Sequence, residues 1–195
     1  DNELSNIETY DFISERLDRV RDLFIFSCYT GIAYVDLMKL TKNNIAIGID
    51  GNQWITTKRQ KTNMPVKVPI LKMTKAIIDK YEHHPITMVS GTLLPPITNE
   101  KLNQYLKEVA NFCGIKKNLT FHMARHTFAT TVTLTNGVPI ETVSKLLGHT
   151  KLTTTQIYAR VIEQKVSEDM SALKQILNNK KANKNINIIK SNSSC

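Results

Sequence analysis

Near the start of the chain, apolar side chains recur at steps of three and four. Tyr10, Ile13, Leu17, Val20 and Phe24 lie on one stripe, the period of an amphipathic helix. Ser5-Asn6-Ile7-Glu8 in front of them has the form of a capping box. A break near Asp18 fits the pattern. Residues 20–29 are apolar nearly all round, which predicts burial, and Thr30-Gly31 ends the element. A short helix over 34–40 follows. The pattern then turns to short β-type runs at 45–49, 53–57 and 66–69, with Asp50-Gly51 as a turn between the first two. Residues 74–81 read as helix, and 83–96, with Pro85, Pro95 and Pro96, as loop.

From Thr98 the pattern is helical almost to residue 178. One helix covers 98–113, with Leu102, Tyr105, Leu106 and Val109 on a face and Gly114 as its stop. Thr120 caps a second over 121–135, which Asn136-Gly137 ends. A third runs over 140–147, with Pro139 suited to a first turn and Gly148 as a stop. Thr153 caps a short segment that carries Tyr158, and 163–177 repeats Val166, Met170, Leu173 and Leu177. The expected fold class is mainly α with a small three-stranded antiparallel β-sheet, in one domain. Residues 178–195, rich in Asn, Lys and Ser and without an acid, read as a disordered basic tail.

Composition narrows the function classes. A chain of 195 residues, 41% of them hydrophobic, is long enough for one sizeable core. The longest apolar run, 23–32, is interrupted by Ser27, Thr30 and Gly31 and is too short to cross a bilayer. No signal peptide is present, so a cytoplasmic protein without a membrane partner is expected. Cys28, Cys113 and Cys195 are scattered and lack CxxC spacing, which argues against a disulfide framework or a zinc site. The chain opens on a helix signal without Met, so it reads as a piece of something longer.

The formal charge of +9 favours a polyanionic partner. It is unevenly spread. Residues 53–78 hold Lys58, Arg59, Lys61, Lys67, Lys72 and Lys75 and no acid; 110–140 hold Lys116, Lys117 and Arg125, again without an acid. Clustered Lys and Arg supply phosphate contacts, although a basic hairpin is also a way to protect a sheet edge.

The chain has no Gly-rich phosphate loop and no metal-ligand spacing. It has instead a tyrosine, Tyr158, nine positions after His149 (158 − 149), and an upstream cluster, His122-Met-Ala-Arg125-His126. A hydroxyl nucleophile needs groups that stabilise the charge it creates. His122 and Arg125, at i and i+3 on a first helical turn, share a face beside free backbone N–H groups that favour an anion. Each residue alone has an ordinary reading: a core histidine, a surface arginine, a histidine at a helix C-terminus, a core aromatic, a solvated hairpin lysine. Their order, Lys61 in a hairpin, then HxxR, then Leu-Gly-His, then tyrosine, is the specific feature.

That order resembles the tyrosine recombinase, or phage integrase, family. The residues carrying it are Thr30-Gly31-Ile32-Ala33-Tyr34-Val35-Asp36-Leu37, Lys61, His122-Met123-Ala124-Arg125-His126-Thr127-Phe128-Ala129, and Leu146-Leu147-Gly148-His149 through Tyr158. The likeness covers residues 1–177 and is to the family's catalytic domain, with the look of mobile-element integrases of Bacteroides-type bacteria; these residues are expected not to include the family's separate N-terminal DNA-clamping domain. The resemblance implies a site-specific recombinase that cuts and rejoins double-stranded DNA through a 3′-phosphotyrosyl link, for integration or excision of a mobile element, without metal or cofactor. Tyr158 would attack the phosphate and Arg125 would hold its non-bridging oxygens. His122 and His149 would hydrogen-bond it or move protons, and Lys61 would be the general acid.

Lys58, Arg59, Lys67, Lys116, Lys117 and His126 are the expected DNA contacts. The resemblance further implies a homo-tetramer on DNA through helix 163–177, accessory DNA-bending proteins, and the bacterial cytoplasm as location. One position departs: the family's first arginine falls on Ala33, and the acidic slot after it on Asp36. Arg21, on the preceding helix, is the expected substitute, ahead of Arg16 and Arg19. A cleavage-deficient DNA-binding relative and a type IB topoisomerase-like enzyme are the alternative functions.

Overall fold

The computed structural model describes residues 2–158, 163, 166–167, 169–171 and 173–177. Helix α1 spans Asn2–Thr9 and α2 spans Glu15–Thr30. The break falls over 10–14 rather than at Asp18. Ile13, expected on the buried stripe, is fully exposed at 104%, because it lies in the connection and not on either helix. From Leu17 onward the stripe holds: Val20, Leu23 and Phe26 are fully buried, and α2 forms the centre of the main core, flanked by α1 and by the helices Lys72–Tyr81, Asn99–Phe112 and Phe121–Thr127. Gly31 closes α2 with φ +66°. A Cβ there would come within 2.4 Å of the Phe128 ring, so the chain needs glycine both for the left-handed turn and for the close approach.

A one-turn helix, α3 (Tyr34–Leu37), leads to the sheet, β1 (Ile45–Ile47), β2 (Gln53–Lys58) and β3 (Pro65–Pro69), antiparallel in the order β1-β2-β3. In the register, Ile55 faces Ile45 and Val68, and Thr57 faces Val66. Ile55, Val66 and Val68 are buried while Lys67 points outward, the alternation of a sheet with one wet face.

Helix α4 (Lys72–Tyr81) follows. Residues 83–96, expected as loop, contain a helix, α5 (Pro85–Ser90). Pro85 fits the first helical position, where no N–H is needed, and the His84 side chain accepts the Ile86 N–H at 3.2 Å. Helix α6 (Asn99–Phe112) is capped by Thr98, which accepts from Lys101 N–H.

Helix α7 (Phe121–Thr127) does not run on as a regular helix to residue 135. It widens to π-helical geometry over Phe128–Thr133 and tightens over Leu134–Asn136, where Thr133 Oγ1 donates to the Phe128 and Ala129 carbonyls. Helix α8 (Ile140–Leu146) follows, and then two tight turns, Leu152–Thr154 and Gln156–Tyr158. Thr153 lies inside the first turn rather than capping the second. Phe128, Leu147, Val143 and Tyr158 form a second, smaller core beside the main one. The described residues of 163–177 are helical and exposed; 178–195, expected as a tail, lie outside the described residues. Among the described residues no helix is long and apolar enough to cross a membrane.

Candidate active site

Arg125 is buried, 7% exposed on α7. Its two terminal nitrogens donate to the Gly31 carbonyl, at the end of α2, and to the Leu147 carbonyl, at the end of α8. Each is a carbonyl that its helix leaves unpaired, so the guanidinium joins the two helix ends. Burial, and Arg59 nearby, hold its pKa down at about 10, so it is charged at neutral pH.

The end of α8 places His149. Gly148 has φ +62°; its N–H donates to the Lys145 carbonyl and the His149 N–H to the Ser144 carbonyl, both at 3.0 Å, the paired closure that a glycine at this position allows. Glycine is needed here twice over, since a Cβ would lie 2.7 Å from Val66 Cγ2 and 3.4 Å from Arg59 Cδ. The β2–β3 turn is thus pressed against the end of α8. Thr62 Oγ1 donates to the Gly148 carbonyl at 3.0 Å, and Arg59 Nη1 reaches the Leu147 and Gly148 carbonyls at 3.5 and 3.4 Å. Asn63, with φ +56°, makes the turn, and its N–H donates to the Arg59 carbonyl at 2.8 Å. Asp36, in the acidic slot after Ala33, is buried and accepts the Gln60 N–H at 2.9 Å. Lys61 follows directly and is exposed.

His149 and His122 are neutral at neutral pH. Burial, then the charges of Arg125 and Arg59, push His149 down to about 4. Burial, His126, Arg125, Arg59 and Lys61 together lower His122. His149 Nδ1 lies 2.8 Å from the hydroxyl of Thr155. Tyr158 is 8% exposed. Burial pushes its phenol above the ordinary value, and Arg125 pulls it back. The His126 ring packs edge-to-face against both neighbours, 5.0 Å from the His122 ring and 5.5 Å from the Tyr158 ring.

Tyr158, Arg125, His122, His149 and the Lys61 turn therefore come together around the end of α8. Arg21 does not. It lies ten residues before Gly31, about 15 Å along the helix at 1.5 Å per residue. Its guanidinium is fully engaged: Nη1 donates to the Tyr10 carbonyl at 2.7 Å, Nε to Asp22 at 3.0 Å, and Nη2 to Asp18 and Asp22. Lys80 and Tyr81 complete this network on Asp22. The expectation that Arg21 replaces the missing arginine is corrected on that ground: apolar neighbours marked it as non-solvated, and the true cause is a structural ion pair. Arg16, which pairs with Glu108 at 2.8 Å, is likewise committed elsewhere.

Ala33 itself borders a cavity of about 420 Å³, shared with Tyr34, His122 and Arg125. The cation that does reach the site is Arg59, expected only as a DNA contact. The available signal was its spacing: two residues before Lys61, on the same hairpin arm, beside the buried acid Asp36. Of the remaining expected DNA contacts, Lys58, Lys67 and Lys116 are exposed, and Lys117 is paired with Glu3 on α1. Among the described residues no group of His, Cys, Asp or Glu is placed to hold a metal ion.

The profile of the phage integrase family matches residues 8–165. The chain belongs to that family. Among curated proteins it is similar to the tyrosine recombinase XerC of Pediococcus pentosaceus, 41% identical over 73 residues, which cover 37% of this chain and 24% of that protein. It is also similar to XerD of Listeria monocytogenes, 39% identical over 72 residues, 37% of this chain and 24% of that one. In fold it is similar to the XerH site-specific recombinase bound to a palindromic difH substrate in a post-cleavage complex. The TM-score is 0.64 at 23% identity, over 87% of this chain and 50% of that one. The Tn1549 transposon integrase in complex with a circular intermediate DNA gives 0.58 at 16% identity, over 80% and 57%. The matches span about a quarter of the length of these curated relatives, and about half of these solved chains.

Proposed function

We propose that this integrase-family chain is the catalytic part, residues 1–177, of a site-specific DNA recombinase that acts on a mobile element by integration or excision. One observation carries the reading: a tyrosine hydroxyl, two arginines and two neutral histidines converge on the end of α8, with a lysine on the turn packed against it. Tyr158 Oη attacks the scissile phosphorus. A Tyr–O–P bond forms, and the bond from phosphorus to the 5′-oxygen breaks. His122, neutral and therefore able to accept, takes the phenol proton. Lys61 delivers a proton to the departing 5′-oxygen, leaving a 3′-phosphotyrosyl link and a free 5′-hydroxyl. Arg125 and Arg59 hold the non-bridging oxygens as charge builds on them, in the place of the arginine that Ala33 lacks. The arginines supply the charge stabilisation that a metal would otherwise supply. Rejoining reverses the step, and the energy of the first bond is kept in the second.

Double-stranded DNA as partner is supported by the charge and by the similar recombinases, whose solved structures contain DNA. Lys58, Lys67, Lys116 and His126 are the proposed further contacts. A tetramer on DNA is supported by the stripe on 163–177: Val166, Met170, Leu173 and Leu177 are 44–58% exposed, an apolar face suited to a neighbouring subunit. The reading also leaves a place for accessory DNA-bending proteins.

The test is a library of nicked suicide duplexes with randomised cores, from which the released fragment diffuses away. Wild-type protein is expected to form an SDS-stable adduct and Tyr158→Phe none. DNA binding without any adduct would favour the cleavage-deficient relative, and an adduct with Tyr158→Phe would show that the nucleophile is another residue.

A further inference from the structure

We propose that Thr155 is a positioning residue that fixes the proton of His149 on Nε2 and ties that histidine to the backbone of the nucleophile; this rests on the recombinase reading above. Thr155 is fully buried, and a buried hydroxyl needs partners. Several threonines in the helical segments find theirs in the carbonyl four residues back, as Thr130 does with His126 and Thr133 with Ala129. Thr155 does otherwise. Among the described residues its hydroxyl meets the His149 ring, with Oγ1 2.8 Å from Nδ1, and no carbonyl takes its proton. The O–H therefore donates and Nδ1 accepts.

A neutral imidazole that accepts at Nδ1 carries its one proton on Nε2. The low pKa of about 4 keeps the ring in that neutral form. The backbone of His149 is already anchored by the Ser144 carbonyl, so the hydroxyl is what remains to set the ring's rotation. The consequence is a division of labour. With both ring nitrogens committed, His149 has no site for the tyrosine proton and serves as an N–H donor to the phosphate. The base is left to His122. Thr155 has a second attachment: its carbonyl accepts the Tyr158 N–H at 3.1 Å. One residue thus holds the histidine by its side chain and the nucleophile by its backbone.

The experiment compares wild type, Thr155→Val and Thr155→Ser. Valine keeps the shape and removes the hydroxyl; serine keeps the hydroxyl. Nitrogen-15 NMR reads the His149 tautomer without DNA, assigned by the signal lost in His149→Asn, and the nicked-duplex library reads the rate of adduct formation. The expected result is a single Nε2–H tautomer in wild type and Thr155→Ser, with similar adduct rates. Thr155→Val is expected to mix the tautomers and to slow the adduct about tenfold, the scale of one lost hydrogen bond, with unchanged DNA binding. An Nδ1–H tautomer in wild type overturns the proposal. So does a Thr155→Val rate equal to wild type, or a Thr155→Ser rate as slow as that of valine. If valine does not fold, the tautomers of wild type and serine still decide. If wild type forms no adduct at all, the recombinase reading fails, and the tautomer measurement judges the Thr155–His149 bond separately.

Discussion

Arg59→Ala separates the two duties that a cation in the β2–β3 turn can have. Its structural contribution is small. The contacts to the Leu147 and Gly148 carbonyls are 3.5 and 3.4 Å long, at the weak end of hydrogen bonding. The same guanidinium also repels Arg125, whose pKa it depresses together with burial. Losing two weak bonds, each worth at most about 1 kcal/mol, and losing one repulsion roughly cancel. Urea unfolding should therefore give a stability within about 1 kcal/mol of wild type. Its chemical contribution is large: removing one preorganised donor from a developing oxyanion typically costs about 100- to 1000-fold in rate, or about 2.7–4 kcal/mol. Single-turnover adduct formation on the suicide duplexes should fall by that factor. Arg59→Lys, which keeps the charge but not the planar fork, should fall in between.

Two further outcomes belong to the same perturbation. Arg59 is one of the two charges that hold His149 near pKa 4, so Arg59→Ala should move that histidine upward, which an NMR titration reads. The cavity beside Ala33 already opens onto Arg125 and His122. Ala33→Arg added to Arg59→Ala should recover part of the rate. Wild-type adduct rates in Arg59→Ala with intact folding would refute the assignment, since the phosphate would then have no need of a second arginine from this turn.

Gly148→Ala should destabilise the fold by about 2–4 kcal/mol in urea unfolding. The left-handed turn costs a side chain about 1–2 kcal/mol and the overlap with Val66 Cγ2 a similar amount; an unchanged midpoint would mean that the turn does not pack on α8. Arg21→Ala should lower stability by about 1–3 kcal/mol through the ion pairs lost from Asp18 and Asp22, which then keep only Lys80 and Tyr81 as side-chain partners among the described residues, while leaving the adduct yield of the folded protein unchanged. A specific loss of cleavage would return it to the site. The folded pKa of His149, about 4, lies below the usual unfolded value near 6.5. Between those values the unfolded chain holds more protons than the folded one, so stability should fall as the pH drops from about 6.5 to 4. His149→Asn should flatten that slope, and an identical slope in the variant would count against a neutral His149.

The division between what the sequence made legible and what it did not follows from range. Elements were readable where the signal is local. Val20 to Phe26 announced a buried helix, Asp50-Gly51 a hairpin, and Gly148 a helix stop that delivers His149. Local signals misled where one residue type serves two ends. Prolines at 85, 95 and 96 suggested loop, yet Pro85 begins α5. Ile13 kept the helical period while sitting in a connection, because a spacing of three or four carries no information on whether the backbone between is helical. The site shows the same limit more sharply. Arg21 lies among apolar neighbours and Arg59 in a basic hairpin, and only tertiary contacts show which of the two serves the site. Arg21 is held by Asp18 and Asp22, acids from its own helix, so its charge is neutralised where it stands. Arg59 meets the Leu147 and Gly148 carbonyls, 88 and 89 residues away in sequence, and among the described residues no acid forms a salt bridge with it. A cation kept near helix-end carbonyls rather than in an ion pair retains its charge for an incoming phosphate. The same reasoning explains why Thr155, and not Thr153 or Thr154 in the same run of three, is the residue to test. The sequence offers three equal hydroxyls, and only burial against the His149 ring selects one.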